Sequence, residues 1–146
     1  MTLIVEPYRL HHLQLLIYQG PQAAQLRTLS HLPASCAKVT ENLGPALTVR
    51  EGERIILVGG MASVAKHYGI LWAVLSADAG RHMLFLHRGV KRFLDMQHVR
   101  RLEATCEEGF GAGCKWLDLL GFEFEGRMRA YGDLGETHLR YARVLP

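Results

Sequence analysis

Cys114-Lys115-Trp116-Leu117-Asp118-Leu119-Leu120-Gly121-Phe122-Glu123-Phe124-Glu125-Gly126 is the stretch that decides the fold. A helix over Gly109 to Leu120 runs into Gly121, the residue type that adopts a left-handed C-terminal cap, and Phe122 places an apolar side chain just beyond it. Glu123 to Tyr131 reads as a strand, Gly132-Asp133-Leu134-Gly135 as a hairpin turn, and Glu136 to Val144 as the return strand.

Working back from there, Val99 to Cys106 reads as a strand. Before it, Met83, Leu86, Val90, Phe93, Leu94 and Gln97 recur three or four apart from Arg81 onward, leaving Arg88, Lys91, Arg92 and Asp95 on the opposite face of an amphipathic helix. Gly89 is that helix's weak point. Ile70-Leu71-Trp72-Ala73-Val74-Leu75 lacks alternation, which predicts a central strand buried on both faces. Ala46 to Arg50 and Arg54 to Val58 flank Glu51-Gly52-Glu53, a hairpin signature. Gly59 and Gly60 lie inside the second of these strands or at its end, where a bulge or a close backbone approach is the usual reason for glycine.

The first part reads as a strand over Thr2 to Glu6 ended by Pro7. A helix from Leu10 follows, with Leu10, Leu13, Leu16 and Ile17 at helical spacing, stopped at Gly20-Pro21. Further helical pieces are expected over Gln22 to Leu29 and Ser35 to Leu43. Trp72, Val74, Leu86, Val90, Phe93, Leu117, Leu120 and Phe122 are the expected core.

The composition bounds the function. With 146 residues, 49% hydrophobic and 21% charged, the chain is expected to fold as one domain. The start has none of the marks of a secretory signal, and the longest apolar run falls far short of the roughly 20 residues a membrane helix needs. No membrane and a cytoplasmic location are expected. Cys36, Cys106 and Cys114 lack CxxC spacing and read as reduced thiols, and the eight scattered histidines give no metal site. Arg88, Lys91, Arg92, Arg100 and Arg101 crowd one region without interleaved aromatics, so a solvated face is preferred over a nucleic-acid stripe. No Gly-x-Ser-x-Gly elbow is present.

The helix ending in Leu120-Gly121-Phe122, the acidic strand and the glycine-containing hairpin resemble the closing segment of the GNAT N-acetyltransferase superfamily, and the preceding order of elements resembles that fold over most of the chain. The resemblance implies a single α/β domain over 1–146, with a mixed, mostly antiparallel central sheet of about six or seven strands and helices on both faces. It implies acetyl-CoA as acyl donor and an unidentified amine as acceptor, the thioester lying in the V between the fourth and fifth strands. The pyrophosphate would rest on the loop that opens the central helix, Ser76-Ala77-Asp78-Ala79-Gly80-Arg81-His82, giving Ser76, Ala79, Gly80, Arg81 and His82 as coenzyme-binding candidates. Glu107 and Glu108 at the end of the fifth strand are the candidate general bases, with Glu103 next.

The sequence also departs from the family pattern. Gln/Arg-x-x-Gly-x-Gly/Ala is not present as such, and Asp78 brings a negative charge to the loop. The Tyr that reprotonates the departing thiolate is replaced by Leu117, the helix-opening Asn by Phe110, and the small Ala by Gly113. Cys114 is either a substitute acid or nucleophile, or a small core residue. Two functions stay open: an acyl-CoA-dependent N-acetyltransferase, or an inactive GNAT-fold protein of a bacteriophage or prophage, as a virion component or host-protein binder. A protein partner and homo-oligomerisation are also left open.

Overall fold

The structure, a computed structural model, describes residues 2–15, 44–132 and 134–146. The expected helical pieces over 22–29 and 35–43, the Gly20-Pro21 stop and Cys36 lie outside them. In chain order the described elements are β1 (Leu3–Pro7), α1 (Leu10–Leu15), β2 (Ala46–Glu51), β3 (Arg54–Ala65), β4 (Tyr68–Leu75), a 3-10 turn (Ala79–His82), α2 (Met83–Asp95), β5 (Arg101–Glu107), α3 (Gly111–Leu119), β6 (Glu123–Met128) and β7 (His138–Val144). The strands form one seven-stranded sheet in the order β1-β2-β3-β4-β5-β7-β6. It is mixed and mostly antiparallel. The parallel step is β4 against β5, a short ladder of Tyr68–Ile70 with Arg101–Glu103.

The described chain divides into two compact units, Met1–Ser63 with Leu71–Gly80, and Val64–Ile70 with Arg81–Pro146. In the first, Gly52 takes φ 59° and closes the β2–β3 hairpin at the expected place. A Cβ on Gly59 would lie 2.8 Å from the Trp72 carbonyl oxygen, and one on Gly60 would collide with that of Pro45, so both glycines are close-approach residues inside β3. Tyr8, Leu13, Ile55, Val58 and Val74 form the buried cluster, with Trp72 packed on it and its ring 5.1 Å from that of Tyr8. Two expectations are corrected here. β4 is buried on both faces only toward its end, at Val74 and Leu75, while Ile70 is 38% exposed. Trp72 is half-buried, packed against the cluster with its ring roughly perpendicular to that of Tyr8.

In the second unit, α2 buries Leu86, Phe93 and Leu94 and leaves Arg88, Lys91 and Arg92 exposed, as the amphipathic pattern predicts, while Val90 is half-buried. α3 ends in a complete Schellman motif. The Phe122 N–H donates to the Leu117 carbonyl at 3.0 Å and the Gly121 N–H to that of Asp118 at 3.0 Å, with Gly121 at φ 90°. Leu117 and Phe122, the two residues joined by the longer of these backbone loops, are both buried. The Leu120-Gly121-Phe122 sequence is therefore the end of a capped helix, with Leu120 and Phe122 buried on either side of the glycine. β6 and β7 pair as the expected hairpin, with an irregularity between Phe124 and Gly126, and β7 also pairs with β5 along its length. No helix among the described residues is long and apolar enough to cross a membrane.

Candidate functional site

The segment after β4 starts inside the core. Ser76 is 2% exposed; its N–H donates to the Ile56 carbonyl at 2.9 Å and its hydroxyl to Asp78 at 2.8 Å. Ala79 is fully buried and its N–H donates to the Ser76 carbonyl at 3.2 Å. Both residues therefore shape the loop from within. Asp78 pairs with the Arg54 guanidinium. A cleft of about 500 Å³ opens beside the loop, lined by Leu15, Arg54, Ile55, Ser76 and Asp78, so its wall carries a neutralised pair where the sequence suggests a bare carboxylate.

The 3-10 turn then delivers Gly80, Arg81 and His82 to the start of α2. Gly80 is exposed, with no atom within 4 Å of where a Cβ would stand. The N-cap residue His82 makes no side-chain cap hydrogen bond, the first turn holds no acid, and the preceding turn ends in Arg81 and His82. A helix N-terminus with that charge pattern and an open glycine suits an anion such as a pyrophosphate. The residues at Gly80, Arg81 and His82 are thus compatible with the pyrophosphate that the resemblance implies there.

The two candidate bases separate. Glu107 closes β5, half-buried, opposite His138 on β7. Glu108 is exposed and held by Arg127 through two bonds of 2.7 and 2.9 Å, which keep its carboxyl below the usual range. Glu103 is more deeply set. It accepts from the Tyr68 hydroxyl at 2.6 Å and from Arg101 at 2.8 and 3.0 Å, and Arg101 also grips Glu125. Burial pushes the Glu103 carboxyl up, but these bonds and the guanidinium charge outweigh it, and the net shift is downward.

On the other face of β5 and β7, Cys106 and Cys114 are free thiols. Burial pushes the Cys106 thiol up, and burial followed by the nearby Cys114 pushes the Tyr141 hydroxyl up to about 12. A Cβ on Gly113 would lie 2.8 Å from Cys106 Sγ and 2.8 Å from the Phe110 ring, so a larger residue there would have to displace one of these side chains. Leu117, at the position where the resemblance implies a proton donor, is 8% exposed.

The sequence reading passed over His138, Glu136 and Arg140. Strand alternation puts His138 and Arg140 on the same face as Thr105 and Glu107, their register partners. His138 Nε2 lies 3.5 Å from the Glu136 carboxylate, and the ring lies 5.3 Å from that of Tyr131. The signal available in the sequence was period-2 spacing along β7, which aligns these residues with a carboxylate already singled out on β5.

No protein-family model matches the chain and no curated protein matches it in sequence. Solved structures do match it in fold. An N-acetyltransferase from Staphylococcus aureus Mu50 is similar at TM-score 0.70 and 14% identity over 100% of both chains. An acetyltransferase of the GNAT family from Streptococcus pneumoniae is similar at TM-score 0.70 and 15% identity, over 99% of this chain and 100% of that one. The ribosomal-protein-S18-alanine N-acetyltransferase from Escherichia coli is similar at TM-score 0.66 and 16% identity, over 98% and 94%.

Proposed function

We propose that residues 1–146, folded like the GNAT acetyltransferases, form one domain that works as an acetyl-CoA-dependent N-acetyltransferase on a primary amine. The observation that carries this reading is the start of α2, where open Gly80, basic Arg81 and His82 and an acid-free first turn meet. The coenzyme supplies an activated acyl group. Backbone N–H groups at the start of α2 hold its pyrophosphate and Arg81 adds a charge-assisted contact. Glu107 accepts the proton that the amine loses, since Glu108 is engaged by Arg127 and Glu103 by Tyr68 and Arg101. The free thiols Cys106 and Cys114 support a reducing compartment such as the cytoplasm.

The test is a thermal shift with acetyl-CoA, because a ligand that binds only the native state raises the midpoint. Arg81→Ala should weaken binding roughly tenfold, the value of one charge-assisted contact. Equal midpoints with and without coenzyme would remove this reading. One observation favours a second reading, a bacteriophage GNAT-fold protein that binds a virion or host partner without turnover: apolar, buried Leu117 stands where a proton donor is needed.

A further inference from the structure

Buried polar atoms without partners are rare and costly, so a group of them on one sheet face calls for a ligand or a chemical role. Here His138 Nδ1 and Arg140 Nε are buried with no hydrogen-bond partner, while His138 Nε2 and Glu136 Oε1, also buried, meet each other at 3.5 Å. They lie at or near the end of β7 beside Glu107, which stands opposite His138 in the antiparallel register. Such opposed residues carry their Cβ atoms about 4.5–5.5 Å apart on the same face.

We infer that His138 is a second proton acceptor for the acceptor amine, working beside Glu107, with Glu136 as the residue that positions its ring. The inference rests on the acetyltransferase reading above and deepens it. The groups facing His138 are Glu136 from the hairpin loop, the Tyr131 ring, Glu107 on β5, Met128 on β6, and Arg140 next along the same face of β7. Glu136 stays ionised: hydrogen bonds from its own N–H and, at 2.9 Å, from that of Leu134 hold its carboxyl below the usual range against the opposing effect of burial. Its carboxylate lies nearest Nε2 and favours a proton on that nitrogen, which leaves Nδ1 as the acceptor. In the transfer, the amine nitrogen forms its bond to the thioester carbonyl carbon as the C–S bond breaks. The amine proton passes to His138 Nδ1 or Glu107, and the thiolate leaves.

The experiment uses the full chain, acetyl-CoA, and a peptide with an N-terminal alanine or lysine methyl ester as amine, following thiol release. His138→Gly should bind acetyl-CoA with an unchanged thermal shift and lose about 10²-fold in kcat, the low end for a general base, and added imidazole should restore part of that loss. Glu136→Gln should lower kcat with KM for the amine retained. Full activity in folded His138→Gly, or a loss that imidazole leaves untouched while His138→Gln retains activity, overturns the role of His138 and leaves the acetyltransferase reading in place. A wild type that binds the coenzyme and transfers to neither amine overturns both.

Discussion

Gly89 and Gly121 offer the same chemical change with opposite expected outcomes. Neither has an atom within 4 Å of where a Cβ would stand, so a steric clash distinguishes nothing between them. Gly89 lies inside α2, where Ala is favoured by about 0.5–1 kcal/mol because less backbone freedom is lost on folding. Gly121 sits at φ 90°, a conformation that costs an L-residue roughly 1–2 kcal/mol. The reduced entropy of the unfolded chain returns about 0.4–1 kcal/mol of that, for a net loss of about 1 kcal/mol. At about 2–4 °C per kcal/mol for a chain of this size, Gly89→Ala should raise Tm by about 1–4 °C and Gly121→Ala should lower it by about 2–4 °C. Thermal unfolding followed by far-UV circular dichroism reads both. Midpoints that move in the same direction would refute the assignment of Gly121 as the cap that ends α3.

Phe93→Ala should cost about 3–5 kcal/mol in denaturant unfolding, because the ring is 9% exposed in the core under α2, and an unchanged midpoint would contradict that packing. Burial, then the charge of neighbouring His11, lowers the pKa of His12, whose Nδ1 lies 2.8 Å from Thr48 Oγ1. The folded state therefore favours the neutral ring: the stability it contributes is present above the unfolded value of about 6.5 and is lost as pH falls through the lower folded value. His12→Gln should flatten the stability profile below about pH 6.5, which urea titrations at several pH values would show. Leu117→Tyr should raise thiol release with amine by about 10²-fold if the thiolate is reprotonated from that position. No change in rate with coenzyme binding intact would place the acid elsewhere.

Local chemistry was legible in the sequence where one residue type answers one backbone need. Gly52 in its turn, Gly121 at its cap and the three-to-four spacing from Met83 to Leu94 all mark their elements correctly. The break before β4 is shorter than Lys66 to Gly69 suggests, since β4 already starts at Tyr68, and β3 runs on past the Gly59-Gly60 pair to Ala65 because glycines at close approaches do not end a strand. The exposure of Ile70 was hidden too, since an apolar run looks the same at the rim of a sheet as at its centre. At the candidate site the loop to α2 could be placed from its glycine and basic residues. The divergence of Glu107 and Glu108 could not, because only the register shows Glu107 opposite His138 and only the fold brings Arg127 to Glu108.

The sheet order β5-β7-β6 has a consequence for synthesis on the ribosome. β7 sits between two strands made before it, and among the described residues β6 has no other strand neighbour. Until His138–Val144 has emerged, β5 and β6 each present an open row of backbone donors and acceptors with nothing to pair to. A nascent chain stalled or cleaved ahead of His138 therefore loses more than one strand. It leaves two sticky edges, and quality-control proteases or aggregation should remove such fragments far more efficiently than fragments trimmed after Val144.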